Sequence, residues 1–176
     1  KIVASGADAV ITGNWGADML GLGKSILENG FEGPIYTYYA AADGITAAFG
    51  ESGVDSLYLV AEGDDNPPSD GNMSQTRITN VIQMLAQAID EAGTATDVVK
   101  VANALEDMHF TNSLWSTADM HMRPEDHQLI QDIHIFGHQK VEAPYDMDNS
   151  GYGLKVQYTV ENASADIATT CEMKRP

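Results

Sequence analysis

Short apolar runs alternate with longer amphipathic ones through the first sixty residues, the rhythm of strands separated by helices in an α/β sheet. Ala9-Val10-Ile11-Thr12 predicts a strand, and after Gly13-Asn14-Trp15-Gly16 the spacing of Met19, Leu22, Gly23 and Ile26 predicts a helix closed by Asn29-Gly30. Pro34 to Tyr39 returns as a second strand rich in aromatic residues. A short helix over Ile45 to Phe49 and a third strand from Ser56 to Val60 follow, and this order implies right-handed crossovers and a mostly parallel sheet. The opening Lys1 to Gly6 reads as the tail of a helix, from which a preceding N-terminal part is expected.

Between Ala61 and Gly71 prolines and acids, Glu62, Asp64 and Asp65 among them, replace the periodicity, and a linker or loop is expected. A long helix is predicted from Ser74 to Ala92, with Ile78, Val81, Ile82, Leu85 and Ile89 as its core-facing stripe and Gly93 as its stop. Thr96 is the expected cap of the next helix, whose apolar face is Val98, Val101, Ala102 and Leu105. Beyond Phe110 the period shortens to two, over Gln131 to Phe136 and over Tyr152 to Val160, and strands are expected.

Composition removes several function classes. Of 176 residues 43% are apolar, enough for a real core. Nine Lys plus Arg against 26 Asp plus Glu leave a formal charge of −17, which repels nucleic acid and anionic lipid headgroups; neither is an expected partner. No stretch approaches the roughly 18 apolar residues of a membrane span, so no membrane insertion is expected. One cysteine, Cys171, excludes an internal disulfide framework; it is either a buried thiol or half of a bridge to a partner outside these residues.

The motifs that imitate catalytic or metal sites fail on chemistry. Gly21-Leu-Gly-Lys24-Ser25 lacks the first glycine of a phosphate loop, with Asp18 in its place, and falls inside a predicted helix whose N–H groups are already bonded. Asp146-Met-Asp148-Asn-Ser150-Gly151 begins like a calcium loop, but Gln157 stands where a bidentate Glu is required, so a turn is expected. His127, His134 and His138, even with Glu125 or Asp126, match no zinc spacing and are read as surface or packing residues. No nucleophile elbow is present, so no cofactor, no metal and no catalysis are expected.

What remains lies at strand ends: Asn14 and Trp15 after the first strand, Tyr38 and Tyr39 after the second. Ligands of open α/β sheets bind beyond the carboxyl ends of strands, and an indole, two phenols and an amide suit a small zwitterion or amide with an aliphatic part. Ordinary packing roles for the same aromatics fit the pattern equally well.

The runs Ala4 to Asp18 and Gly30 to Tyr39 resemble the C-terminal lobe of branched-chain amino-acid ABC-transporter substrate-binding proteins. Val81 to Ile89, Ala104-Leu-Glu-Asp-Met108, Met122-Arg-Pro-Glu-Asp-His-Gln128 and the closing Cys171 to Pro176 do so as well, so the resemblance runs through nearly the whole chain. It implies a type I periplasmic-binding-protein fold: two α/β lobes joined by a three-crossing hinge, with a ligand between them. It further implies that 1–66 belong to the second lobe, 67–73 to a linker with a hinge segment missing, 74–110 to the helical part of the first lobe, and 111–176 to a return to the second. The implied function is capture of a small amino-acid-like molecule in the periplasm for delivery to the transporter's membrane subunits, with Asn14, Trp15, Tyr38 and Tyr39 covering the ligand. A sensor domain of the same fold, or a small α/β enzyme using His127 or His134, are the rival readings. Tyr38-Tyr39-Ala40 departs from relatives that carry a carboxylate there, which leaves the ligand's identity open.

Overall fold

In the computed structural model, residues 1–62, 73–111 and 119–175 are described. They fall into two compact units. The first is built from Lys1–Ala61 and His134–Thr159, the second from Ser74–Ile133 and the stretch from Val160 onward. The expected linker lies outside the described residues at 67–72, as do Asp64 and Asp65.

The first unit is an α/β layer. A single 3-10 turn, Val3–Ser5, ends on Gly6 in the left-handed region. Strands β1 (Val10–Thr12), β2 (Ile35–Thr37) and β3 (Leu57–Glu62) pair in parallel, with Thr12 opposite Thr37 and Thr37 opposite Leu59. Helices α1 (Gly16–Glu28) and α2 (Ile45–Phe49) make the crossovers. Two later strands, β7 (Ile133–Lys140) and β8 (Tyr152–Val160), extend the sheet in the order β1-β2-β3-β7-β8. Met19, Gly23 and Ile26 of α1 are buried, the face the spacing predicted, and Met19 and Ile26 join Ile35, Ile45, Phe49, Leu57, Leu59, Phe136 and Leu154 in one core. Gly23 is the closest approach between the helices, because a side chain there would run into the ring of Phe49. Lys24 and Ser25 sit inside α1, with Lys24 3.8 Å from Glu28.

On β7 the buried face carries His134, Phe136 and His138. His134 Nδ1 lies 2.8 Å from Thr159 Oγ1, and the His138 ring stacks on Tyr152 with its Nε2 2.7 Å from the carbonyl of Gly50. The calcium-like string folds as the turn expected of it. Asp146 accepts the N–H groups of Ser150 and Gly151, both at 2.8 Å, while Asp148 accepts the Gly44 N–H and the Thr46 hydroxyl. Both carboxylates are thereby committed to holding the chain.

The second unit holds α3 (Met73–Ala92), α4 (Val98–Leu105) and a sheet of β4 (His109–Phe110), β5 (Met120–Met122) and β6 (Leu129–Ile130), paired antiparallel in that order. Its core is Met84, Ala88, Val101 and Met108. Here two expectations are corrected. The predicted stripe of α3 is exposed: Ile78, Val81, Ile82 and Leu85 face out, and only Ile89 of that set is half-buried against the core. Among the described side chains of the helix the buried ones are Asn80, Met84 and Ala88, four apart along another side. A helix with two apolar sides shows the right period for either, and periodicity cannot say which side this chain covers. On α4, Asp97 rather than Thr96 is the cap, its carboxylate accepting the Lys100 N–H at 3.2 Å; Thr94 takes the preceding N–H groups of Thr96 and Asp97.

The end of the chain is tied to this second unit by polar contacts. Arg123 makes a two-pronged pair with Asp126 at 2.9 and 2.7 Å and reaches Asp166 and the Ile167 carbonyl at 2.6 Å. The guanidinium holds the Asp126 carboxyl well below the ordinary carboxylate range. The short helix α5 (Asn162–Ala165) is anchored by the Asn162 N–H on Asp132 at 2.8 Å, and Arg175 bonds Glu106 at 2.7 Å. Cys171 is an exposed free thiol, which corrects the buried alternative.

Candidate functional site

The parallel register brings the carboxyl ends of β1 and β2 side by side, with Thr12 and Thr37 as paired last residues. Each threonine organises the turn that follows it. The Thr12 hydroxyl accepts the Asn14 N–H at 3.1 Å and donates to Asn14 Oδ1 at 2.6 Å; the Thr37 hydroxyl accepts the Tyr39 N–H at 3.1 Å. These local bonds replace the next rung of a strand, and a hydroxyl at that position favours such a turn. Sequence reasoning passed over both threonines, although a Thr two residues before Asn14 and before Tyr39 was there to be seen.

The turns present the predicted side chains outward. Trp15 caps α1 in an extended conformation without a side-chain cap bond, and its residue is 70% exposed. Tyr38 and Tyr39 are 38% and 37% exposed and meet edge to face with centroids 5.4 Å apart. Asn14 is exposed, with its side-chain oxygen on Thr12. An indole left in water at a turn is no packing residue of this unit, whose interior is filled by aliphatic and phenylalanine side chains. A separate cavity opens where β7 meets β8, lined in part by Lys140, Tyr145, Tyr152 and Lys155; none of the predicted residues lines it.

The histidines named from sequence are not brought together. His134 and His138 are packed in the first unit, while His127 lies in the second, 2.9 Å from Glu106. Burial depresses the His138 pKa below the ordinary imidazole value. The grouping sequence reasoning missed is on the second unit, where one ligand atom from each of Asp107, His109 and His121 lies within 4.8 Å of the others. The signal was a tripeptide, Asp-Met-His, that occurs at both 107–109 and 119–121.

An open sheet with α/β crossovers and two chain units is the architecture of type I periplasmic binding proteins, and comparison with solved structures agrees. No family model matches the chain, and no curated protein matches it. The leucine-, isoleucine-, valine-, threonine- and alanine-binding protein of Brucella ovis, in its closed conformation, superposes with a TM-score of 0.76 at 21% identity, over 99% of this chain and 49% of that one. A solute-binding protein of an ABC transporter from R. palustris, in complex with 4-hydroxybenzoate, gives 0.68 at 17% identity over 91% and 47%. A branched-chain amino acid ABC transporter periplasmic ligand-binding protein from Burkholderia xenovorans gives 0.60 at 17% identity over 93% and 46%. The chain thus has a mixed α/β, type I periplasmic-binding fold and spans about half the length of the structures it matches. The resemblance read from the sequence is borne out by these structures at the level of fold.

Proposed function

We propose that this chain is part of the solute-binding component of an ABC importer, which captures a small amino-acid-like ligand, a branched-chain amino acid or a related amide, between two lobes. In this reading Lys1–Ala61 with His134–Thr159 is the second lobe, and the helical stretch from Ser74 belongs to the first. Ligand contacts favour the closed arrangement of the lobes, and no bond is made or broken. The protein works in the periplasm, and its macromolecular partner is the importer's membrane subunits; no helix among the described residues is long and apolar enough to cross a membrane.

The observation that carries the reading is the exposed aromatic and amide set at the carboxyl ends of two neighbouring parallel strands, where open α/β sheets bind ligands. Trp15, Tyr38 and Tyr39 supply apolar faces with polar edges, and Asn14 an amide, for a ligand with an aliphatic side chain. The exposed stripe of α3 supports the same reading. Ile78, Val81, Ile82 and Leu85 form an apolar side that a first lobe of full size covers, and the matched structures are about twice as long.

A second ligand class has an observation of its own. An indole with two phenols stacks on a planar ring as readily as it covers an aliphatic chain, and one structural neighbour holds 4-hydroxybenzoate. Isothermal titration of the intact protein against leucine, isoleucine, valine, their amides and 4-hydroxybenzoate separates these readings. Saturable binding of one class with no chemical change supports the importer reading; turnover of any of them, or binding of none, refutes it.

A further inference from the structure

The β4–β5 pair carries an arrangement that the ligand-capture reading does not use. His109 and His121 are directly opposite one another in the antiparallel register, and their rings stack with centroids 4.4 Å apart and an interplanar angle of 18°. Strand alternation puts Phe110 and Met120 on the opposite side, where Met120 is buried, and leaves both imidazoles on the outer face. Each histidine is bonded by the aspartate that precedes the other strand. His109 Nδ1 lies 2.5 Å from Asp119 Oδ2, and His121 Nε2 lies 2.7 Å from Asp107 Oδ1. The two Asp-Met-His tripeptides therefore bring together two imidazoles and two carboxylates.

Asp107 is placed by a bulge. Its N–H bonds the Met122 carbonyl at 3.0 Å while the Met122 N–H bonds the Met108 carbonyl at 2.9 Å, so two residues of one strand face one of the other. The extra residue takes a positive φ of 59°, a conformation aspartate tolerates better than most side chains. The bulge interrupts the ladder where it delivers a carboxylate to the histidine pair.

We propose that Asp107, His109 and His121, with Asp119 beside them, bind one divalent transition-metal ion. Two imidazole nitrogens with carboxylate oxygens are the donor set of zinc, copper, nickel or cobalt, whereas magnesium and calcium take oxygen ligands. Bonds of about 2.0–2.2 Å place the ligand atoms of a tetrahedral ion about 3.3–3.6 Å apart. The three ligand atoms already lie within 4.8 Å, and the His109 and Asp107 side chains are 60% and 75% exposed, free to turn inward. Asp119 acts on His109 as fourth ligand or as the carboxylate that fixes the ring's tautomer, an outer partner typical of metal-bound histidine. The ion cross-links β4 to β5, and the proposal stands apart from the identity of the captured solute.

Zinc chloride titrated calorimetrically into the intact protein, in a non-chelating buffer at neutral pH, tests the assignment, with visible absorption of the cobalt-loaded protein reporting the ligand geometry. The expected result is one ion per chain. His109→Ala and His121→Ala each weaken binding at least about tenfold, and Asp119→Asn weakens it about tenfold to a hundredfold. His127→Gln, which removes a histidine of the same unit bonded to Glu106, leaves it unchanged. His121→Asn repeats the measurement without deleting the side chain's bulk, and circular dichroism verifies each fold. No saturable binding below about 1 mM, or equal affinity in the double His109→Ala, His121→Ala variant, overturns the proposal.

Discussion

Replacing Gly23 by alanine separates the effect of helix propensity from that of packing. Gly23 lies in the middle of α1, where alanine gains about 1 kcal/mol over glycine in an open helix. In this fold a Cβ at Gly23 meets the Phe49 ring well inside van der Waals contact, with Cε1 at 3.1 Å the most distant of its three nearest atoms. Phe49 is 4% exposed and packed among Met19, Ile26 and Ile45, so the ring has no free direction in which to turn. Overpacking of this kind costs about 3 kcal/mol at the upper end of the usual range, which leaves Gly23→Ala destabilised by about 2 kcal/mol after the propensity gain. Urea unfolding followed by circular dichroism measures the difference, with unchanged m-values confirming that stability alone has moved. In a Phe49→Leu background the same substitution is expected to be neutral or stabilising, a coupling of about 2 kcal/mol. A Gly23→Ala variant more stable than the parent by about 1 kcal/mol would refute the packing of α1 on α2.

Two further outcomes follow from burial. His138 Nδ1 is buried with no hydrogen-bond partner among the described residues, and the ring's pKa is lowered by burial, so the folded state keeps it neutral while the unfolded state takes up a proton near the ordinary imidazole value. Its contribution is complete above that value and is lost as pH falls toward the depressed one; stability measured by urea unfolding between about pH 7.5 and 5 should decline, and His138→Phe should flatten that part of the profile. On α3, Ile82→Gln changes the stability of this 176-residue chain by no more than about 0.5 kcal/mol, because Ile82 is 61% exposed. In the intact protein the same change should cost about 1–2 kcal/mol, the share of side-chain burial that a covering surface adds, and equal effects in both would count against that surface.

The first unit was legible because its signals are local. The spacing of Met19, Gly23 and Ile26 marks one buried face and nothing in the unit competes for it, and the Ile45 to Phe49 helix falls where the pattern placed it. On α3 the same reasoning chose the wrong side, since Ile78, Val81, Ile82 and Leu85 satisfy the helical period without being covered by these residues. Burial depends on what the chain folds against, which a one-dimensional pattern does not hold. The α4 cap was displaced by one residue because Thr94, Thr96 and Asp97 all have capping chemistry and the choice among them is made by backbone geometry. The strand-end aromatics were found by a rule about sheets. The histidine pair was missed because His109 and His121 are neighbours only through strand register.

The claim on which the functional account rests is that the turns after β1 and β2 hold the captured solute. The most direct test is the calorimetric affinity of the intact protein for its best ligand in Trp15→Ala and Tyr39→Ala, compared with Tyr158→Ala, a 62% exposed position on β8. The account predicts losses of tenfold or more, about 1.4 kcal/mol each, for the first two and parental affinity for the third. Parental affinity in both strand-end variants would contradict it.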